Sequence, residues 1–393
     1  MCTNLLVIGA SARAFAASAR RLGIKVNAID LFGDNDLREV CGRVVQVHSG
    51  DYPDGLPAIA ATFPESPVVY TGGLENHAKV LSRLSRERTL IGNIPAAVER
   101  VRDPTFIQVL ARENGCSYPA TFSSPFGLPK DGTYLRKPTA SVGGTGIIRL
   151  VGLDEKPCAD GALWQEFVTG VPMSASLLVG PEGIEVLSVC RQLIGRGWCQ
   201  AKQFSFCGAV ELSNAGLKQD MRTRLLEFAS ALVERAGLMG LIGIDFIMPR
   251  KMTKDPIGKP IVLEVNPRPT ATMELTERRT GRSQAGLHLS AYGFPLPTKS
   301  IAPTCGRDVC WGKAIVFAEK PVYVSLAFDR HLTRCASLME DQSLGWPMVT
   351  DRPRCGTVIQ AGHPISTIFA SAQTPGNVLR SLREHVGEIV RVL

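Results

Sequence analysis

Short apolar runs alternate with helical segments in the first hundred residues. Residues 4–9 form an apolar run, residues 14–22 have a helical composition, and residues 24–29 form a second apolar run. Residues 68–70 form another such run and precede a helical segment at residues 78–86. Strands that alternate with helices are typical of βαβ units. The pattern therefore predicts a parallel, Rossmann-like sheet domain.

Two turns of this predicted domain are rich in small residues. In the first turn, Ser11 and Ala14 hold the places of the second and third glycines of the dinucleotide fingerprint, although Asp30 follows about twenty residues later, as that fingerprint requires. The sequence therefore does not favour the NAD alternative. In the glycine turn that follows residues 68–70, Glu75 and Asn76 either contact a substrate or cap the next helix.

Polar side chains interrupt two apolar runs near residue 250. Asp245 lies in one run, and Glu264 and Asn266 lie in the next. Residues 249–260, between the runs, are rich in Lys, Gly and Pro, which suits a hairpin that sets Asp245 opposite Glu264. Glu264 and Asn266 would share one strand face. The residues expected to share the opposite, packed face are Ile261, Leu263 and Val265.

These polar residues suit a cation. Two neighbouring carboxylates repel each other unless a cation lies between them, and Mg²⁺ accepts carboxylate and other oxygen ligands. A polar strand edge without a ligand is the alternative. Upstream, Lys137 lies on a short strand before a loop with Gly143, Gly144 and Gly146, and such a loop lets backbone N–H groups approach phosphate oxygens. Lys137 either contacts that phosphate or is a surface lysine.

The middle of the chain predicts an antiparallel sheet with helices. Asp103 is a natural N-cap for a helix at residues 104–113, and apolar spacing predicts another at residues 218–236. The strand-like runs are residues 162–168, 173–178, 184–191 and 203–211. Arg191 and Lys202 are either ligand-binding cations or solvent-exposed residues.

The last hundred residues predict a small α+β segment. Residues 311–317 and 322–328 are strand-like, residues 358–360 and 365–369 suggest a hairpin, and residues 375–393 suggest a closing helix. Nothing in these residues indicates a separate active site. The segment is therefore expected to pack against the preceding domain.

Composition narrows the class of protein. The chain has 393 residues, 45% of them hydrophobic and 20% charged, which predicts two or three ordered globular domains. A net charge of +8 favours anionic ligands, but the basic residues are scattered and aromatic residues make up only 6%, so no nucleic-acid partner is expected. Neither a signal peptide nor a membrane span is predicted, which favours the cytoplasm. The eleven cysteines form no C-x-x-C pair and predict reduced thiols rather than a zinc site or disulfides.

In combination, the lysine strand, the glycine loop and the D…E-x-N set resemble the ATP-grasp superfamily over roughly residues 1–300. The resemblance implies an α/β protein (an α+β ATP-grasp fold) in three parts. They are a Rossmann-like pre-ATP-grasp domain at residues 1–97, an ATP-grasp domain at residues 98–295 and a C-terminal α+β segment at residues 296–393. The ATP-grasp domain would comprise a small lid subdomain at residues 98–170 and a larger metal-binding subdomain at residues 171–295.

The resemblance also implies roles for individual residues. Asp245, Glu264 and Asn266 would hold Mg²⁺. Lys137 would contact phosphate during catalysis, and Arg268 would hold the acid or the acyl-phosphate. The residues implied to bind ATP are Lys137, Gly143, Gly144, Gly146, Gln165, Glu166, Phe167 and Val168.

The implied activity is carboxylate–amine ligation, in which ATP converts a carboxylate to an acyl-phosphate that an amine attacks. The implied cofactors are ATP and Mg²⁺ or Mn²⁺, the implied partners are small-molecule carboxylates and amines with a homodimer as the assembly, and the implied setting is cofactor or small-molecule biosynthesis. The chain departs from the family pattern where Pro104 replaces a lysine after Asp103 and where Met173 replaces a ribose-binding glutamate. A biotin-carboxylase-like carboxylase and a non-catalytic ATP-binding module are therefore alternatives.

Overall fold

Parallel strands form the first sheet of this protein. The structure, a computed structural model, describes residues 4–152, 161–212, 219–249, 259–297, 309–338 and 346–393. The elements of the first domain are β1 (Asn4–Gly9), α1 (Arg13–Arg21), β2 (Lys25–Asp30), α2 (Asn35–Val40), β3 (Val44–Gln46), α3 (Leu56–Ala61), β4 (Val68–Tyr70) and α4 (Ala78–Glu87). Its strand order is β3-β2-β1-β4, and each pairing is parallel. The predicted βαβ unit is confirmed.

A small antiparallel sheet follows two helices. These elements are α5 (Pro95–Arg102), α6 (Pro104–Glu113), β5 (Thr121–Phe122), β6 (Asp131–Pro138), β7 (Ile148–Val151) and β8 (Ala162–Glu166). The sheet order is β5-β8-β6-β7. Asp103 caps α6 as predicted, because its carboxylate accepts the backbone N–H of Thr105 at 2.8 Å. This sheet carries Lys137 on β6 and the hinge region at the end of β8.

The largest sheet joins the middle of the chain to its C-terminal part. Its first elements are β9 (Val171–Gly180), β10 (Gly183–Ile194), β11 (Phe206–Glu211), α7 (Gln219–Ala236), β12 (Gly240–Met248), β13 (Ile261–Asn266), α8 (Met273–Thr280) and α9 (Gln284–Ala291). The later elements are β14 (Cys310–Phe317), β15 (Val322–Tyr323), α10 (Leu326–Leu338), β16 (Val349–Thr350), β17 (Val358–Ile359), β18 (Pro364–Ala372) and α11 (Pro375–Val390).

This antiparallel sheet has the order β13-β12-β9-β10-β11-β14-β18-β16 in the described part of the chain. Buried residues of α7 pack with those of β12 and β13 in one core, and buried residues of α10 and α11 pack with those of β14 and β18 in another. The C-terminal strands therefore continue the sheet that carries Asp245 and Glu264. The predicted boundary at residue 296 falls between strands of one sheet, and the domain limits stay a prediction.

Three local predictions from the sequence are wrong. Residues 326–328 of the predicted strand begin helix α10 instead. The predicted hairpin of residues 358–360 with 365–369 does not form, because β17 pairs with β15 whereas β18 pairs with β14 and β16. The third error concerns β13, where Leu263 has no cross-strand partner because the register shifts at that point.

The irregularity at Leu263 changes which side chains face the core. Val262 and Val265 are fully buried, whereas Ile261 and Leu263 are partly exposed. A bulge places two consecutive residues opposite one and so breaks the two-residue alternation. The expected packed face of Ile261, Leu263 and Val265 therefore does not exist, and Leu263 lines the large cleft described below.

The cysteines and the helices add two general facts. The eight cysteines of the described residues are free thiols. Among the helices of the described ranges, none has the length and apolar composition that a membrane crossing requires.

Candidate active site

A cleft of about 1510 Å³ lies where the two antiparallel sheets meet the turns of the parallel one. It brings together every site residue predicted from the sequence except Gly146, which does not line it. The residues in question that line the cleft are Lys137, Gly143, Gly144, Gln165, Glu166, Phe167, Val168, Asp245, Glu264, Asn266 and Arg268. Strand pairing across long sequence separations is what assembles them.

Asp245 and Glu264 form the acidic centre of the cleft. They are directly opposite in the β12–β13 pairing, as the hairpin predicts. Burial and the neighbouring charge of Glu264, together with a hydrogen bond between the two side chains, hold the pKa of Asp245 well above its usual value. Burial also acts to raise the pKa of Glu264, but the charges of Arg102 and Lys137 hold it below its usual value. The two carboxylates therefore resist being ionised together.

Asn266 and Arg268 extend this centre along the chain. Asn266 donates to Asp245 Oδ2 at 3.2 Å through Nδ2 and accepts from Arg268 Nη2 at 3.2 Å through Oδ1. The carbonyl of Pro267, between them, accepts Tyr70 Oη at 2.9 Å and Asn93 Nδ2 at 2.9 Å. Because Tyr70 and Asn93 belong to the first domain, these bonds fix the segment after β13 against it.

Lys137 is partly buried beside the acidic pair. Its Nζ donates to Gln165 Oε1 at 3.0 Å, and Gln165 Nε2 donates in turn to Thr121 Oγ1 at 3.1 Å. Burial lowers the pKa of Lys137, while the charge of Glu264 opposes that shift. Gln165, which the sequence assigned to nucleotide binding, thus also holds the lysine amine in position.

The glycine loop folds over the cleft between two contacts. Gly143, Gly144 and Gly146 all have positive φ, at 60°, 80° and 75°. A Cβ on Gly144 would stand 2.0 Å from the carbonyl oxygen of Phe204, so the loop packs closely on that segment. The backbone N–H of Phe206 donates to Gly143 O at 2.9 Å. Glycine at position 144 is therefore required by both conformation and space.

The segment after β8 supplies the hinge predicted to hold adenine. The backbone N–H of Glu166 donates to Ala120 O at 2.8 Å, and that of Phe167 donates to Thr133 O at 2.7 Å. These bonds leave Val168 as the hinge residue whose N–H has no backbone acceptor in the described part of the chain. Arg149 stacks over the Phe167 ring at 3.9 Å from its centroid and closes one wall of the cleft.

Several residues that the sequence analysis left open or missed complete the site. Arg268 is paired with Glu75, whose other oxygen accepts the backbone N–H of Gly73 at 2.7 Å. Glu75 therefore does not cap α4 but braces the arginine. Gln192 donates to Asp245 Oδ1 at 2.9 Å, and Arg102 lies 3.6 Å from Glu264 Oε2. Gln192 has no sequence signal, because it lies two strands from Asp245 in the sheet.

Three other residues singled out in the sequence do not line the cleft. Met173 is buried against Phe246 in the sheet core, so its side chain cannot replace a ribose-binding carboxylate. The carboxylate of Asp30 accepts the backbone N–H groups of Ala12, Phe32 and Gly33, and burial raises its pKa to about 6. Asp30 thus organises its own loops. Arg191 is exposed and does not line the cleft.

A second set of charges closes the far end of the cleft. Arg13 binds both oxygens of Glu274 and both oxygens of Asp351. Lys313 Nζ donates to Glu274 Oε2 at 3.0 Å and to Ala271 O at 3.0 Å. Burial acts against ionised Glu274, but Arg13 and Lys313 hold its pKa well below the usual range. This network ties the first domain to α8 and to the C-terminal strands.

The donor set fits Mg²⁺. Among the described residues, no group of three or more His, Cys, Asp and Glu side chains is assembled for a metal, but two carboxylates and an amide oxygen suit a cation that takes its remaining oxygen ligands from water and phosphate. The raised pKa of Asp245 indicates the same need, because a cation between the two carboxylates would relieve the repulsion that opposes its ionisation.

The comparisons with known proteins agree with this geometry. Residues 105–272 match the family model described as the ATP-grasp domain. No curated protein sequence matches the chain. The structure is similar to that of an L-amino acid ligase from Bacillus licheniformis, at 18% identity and a TM-score of 0.66, with 98% of this chain and 97% of that chain covered.

Two further solved structures cover nearly the whole chain. A carboxyaminoimidazole ribonucleotide synthase from Aspergillus clavatus, complexed with ATP, has 15% identity and a TM-score of 0.69, with 100% of this chain and 99% of that chain covered. The biotin carboxylase domain dimer of 2-oxoglutarate carboxylase from Hydrogenobacter thermophilus, in complex with MgADP, ADP and bicarbonate, has 14% identity and a TM-score of 0.66, with coverage of 97% and 89%. At these identities the likeness establishes the fold, and the fold class predicted from the sequence is confirmed.

Proposed function

Because residues 105–272 form an ATP-grasp domain, we propose that this protein is an ATP-dependent ligase that joins a carboxylate to an amine. A carboxylate oxygen of the substrate would bond to the terminal phosphorus of ATP as the bond to ADP breaks. The amine would then attack the acyl carbon, lose a proton and displace phosphate. The observation that carries this proposal is the gathering of Lys137, Arg268 and the Asp245–Glu264 pair in one cleft beneath the glycine loop.

The charged residues of the cleft would bind different parts of the substrates. Lys137, held by Gln165, would donate to a phosphate oxygen of ATP, and the backbone of the glycine loop would enclose the triphosphate. Arg268, braced by Glu75, would bind the anionic acid and its acyl-phosphate. Preorganised charges of this kind supply most of the catalysis in phosphoryl transfer, since the protein makes no covalent bond.

Asp245, Glu264 and Asn266 are the residues that would hold Mg²⁺ or Mn²⁺. When bound, the cation supplies positive charge against the oxygens of the transferred phosphoryl group. Asn266 and Gln192 hydrogen-bond the two oxygens of Asp245 and so hold that carboxylate in place. Binding of the cation would favour the ionised form of both carboxylates.

A carboxylase is the second candidate, and the biotin carboxylase domain among the similar structures favours it. Bicarbonate would then take the place of the organic carboxylate, and the same Lys137 and Arg268 would serve. The two candidates differ in one measurable respect, because ADP release by a carboxylase depends on bicarbonate. A homodimer, a location in the cytoplasm and a role in small-molecule or cofactor biosynthesis stay predictions.

The test is a screen for magnesium-dependent ADP release. Purified protein is mixed with ATP, Mg²⁺ and panels of carboxylic acids and amines, with and without bicarbonate, and the products are identified by mass spectrometry. The ligase predicts ADP release that requires both an acid and an amine, and an amide product. Release that requires only bicarbonate and an amine would favour the carboxylase, and no release across the panels would favour a protein that binds ATP without turnover.

A further inference from the structure

Three buried polar atoms at one turn of the cleft have no hydrogen-bond partner among the described residues. They are the hydroxyl of Tyr52, the Oδ1 of Asn76 and the Nε of Arg268, and all three residues line the cleft. Most buried polar atoms in folded proteins are paired, so such atoms need a physical explanation. Three of them at one place point to a polar ligand.

The backbone of this turn lets two side chains of the cleft approach it closely. A Cβ on Gly72 would lie 3.4 Å from the guanidinium carbon of Arg268, and a Cβ on Gly73 would lie 2.3 Å from the Tyr52 hydroxyl. Adjacent glycines therefore bring the arginine and the tyrosine to the same short segment. Because Glu75 accepts from both Gly73 and Arg268, the turn also fixes the direction of the guanidinium.

Asn76 faces two ways at the end of this turn. Its Nδ2 donates to the carbonyl oxygen of Ser141, in the glycine loop, at 3.0 Å. A carbonyl oxygen can only accept a hydrogen bond, so the amide atom that contacts Ser141 is the nitrogen. The second amide atom, which has no partner, is therefore the oxygen. That buried oxygen has no donor among the described residues, and an N–H group of a ligand in the cleft can supply one. Asn76 thus contacts the glycine loop through its amide nitrogen, and its amide oxygen is left for a ligand in the cleft.

We infer that Asn76 couples binding of the substrate acid, which accepts the phosphoryl group and is called the acceptor here, to closure of the glycine loop. Tyr52 and Arg268 donate to a carboxylate of that substrate, and Asn76 Oδ1 accepts an N–H next to it. The ligand class is therefore a small molecule with a carboxylate beside an N–H group, as in an amino acid. This inference rests on the proposed ligase function and deepens it. Its consequence is that ATP and the acceptor each tighten the binding of the other.

Two isosteric variants separate the parts of this arrangement. Asn76→Asp keeps an oxygen for the substrate N–H but loses the donor to Ser141. Binding of the acceptor in the absence of nucleotide should therefore be retained, whereas the coupling between acceptor and nucleotide should be lost. Tyr52→Phe keeps the ring and removes only the hydroxyl, so affinity for the acceptor falls by about 5- to 10-fold, the effect of one hydrogen bond. The matched controls are Asn114→Asp and Tyr292→Phe, which make the same chemical changes outside the cleft.

The measurement is the acceptor dissociation constant by calorimetry, with and without a non-hydrolysable ATP analogue and Mg²⁺. The probes are the twenty standard L-amino acids, first ranked by thermal stabilisation of the parent protein. In the parent and in both controls, we expect the analogue to tighten amino-acid binding by at least about fivefold, the lower end of usual coupling energies. In Asn76→Asp, that factor should fall to below about twofold.

Three results would overturn the inference. They are unchanged coupling in Asn76→Asp, unchanged amino-acid affinity in Tyr52→Phe, and absence of binding by every amino acid in the panel. The proposed function is tested separately. ADP release with an acid and an amine that are not amino acids would support the ligase function and would exclude amino acids as the ligand class. Loss of fold is excluded by the circular dichroism spectrum and by retained binding of the ATP analogue alone.

Discussion

Replacement of Glu264 by Gln should lower the rate of ADP release strongly and change the stability of the protein little. The substitution keeps the shape of the side chain and removes the negative charge that faces Asp245 across the β12–β13 pairing. Without that charge, the site loses a cation ligand, and ADP release should fall by at least about 100-fold, the scale of losing one preorganised charge contact. Binding of ATP without Mg²⁺ should change little, because Lys137 and the glycine loop are unaltered.

The same substitution should change the stability of the nucleotide-free protein little. Two unit charges about 4 Å apart repel by about 4 kcal/mol at an effective dielectric constant of about 20. The substitution removes this repulsion, which together with burial raises the pKa of Asp245, but it also removes the attraction of Arg102 and Lys137 for Glu264. A glutamine removes the repulsion and can donate to Asp245, so the pKa of Asp245 falls towards its usual value.

The sign of the pH dependence follows from this shift. An acid whose folded-state pKa is raised binds more protons in the folded protein, so the stability it contributes is present at low pH and is lost as the pH rises through the folded pKa. The free energy of unfolding of the parent, measured with urea in the absence of Mg²⁺, should therefore decline as the pH rises through the raised pKa of Asp245. In Glu264→Gln this decline should be smaller.

The assay pairs urea denaturation with ADP release, and Glu185→Gln is the control. Glu185 is an exposed carboxylate of the same sheet that pairs with Arg282, so its loss should change neither quantity much. The reasoning would be refuted if Glu264→Gln turned over within about tenfold of the parent. It would also be refuted by a loss of stability greater than about 2 kcal/mol, which exceeds the average effect of about 1 kcal/mol of a single substitution.

The other predictions concern the lid, the lysine and the far end of the cleft. Lys137→Ala should lower turnover by at least about 100-fold in the ADP assay while the unfolding midpoint moves little. Gly144→Ala should raise the KM for ATP more than Gly143→Ala does, because both have positive φ but only Gly144 lies against a facing carbonyl; equal KM values would contradict this. Arg13→Met should lower the free energy of unfolding, measured by urea denaturation, by about 3–5 kcal/mol. The reason is that Glu274 and Asp351 lose the arginine that pairs with both of them.

Local patterns in the sequence predicted the pairing of Asp245 with Glu264 correctly, whereas their role as cation ligands stays a prediction. Asp245 and Glu264 were expected to face each other because a hairpin joins their strands, and the register has that pairing. A hairpin depends on neighbouring residues, and its pattern is therefore visible in a single sequence. Lys137 and the glycine loop were found for the same reason, because they follow each other on one strand and its turn.

Contacts between distant segments could not be predicted in this way. Glu75 and Arg268 are 193 residues apart, and neither side chain has a local pattern that names the other. The bulge at Leu263 was missed because the run reads as a regular alternation and only the pairing with β12 shows the shift. The helix that begins at Leu326 was missed because its first apolar residues continue a strand-like run, and α10 is defined by packing with the C-terminal core.

The continuity of the large sheet sets a practical limit on dissecting this protein. β11 pairs with β14 through Gly208 and Ala314, so a fragment that stopped before β14 would expose a row of unsatisfied backbone groups along β11. Bare strand edges of this kind recruit other chains and promote aggregation. Attempts to obtain a minimal nucleotide-binding fragment by C-terminal deletion should therefore yield insoluble material, and biochemical work requires the full length.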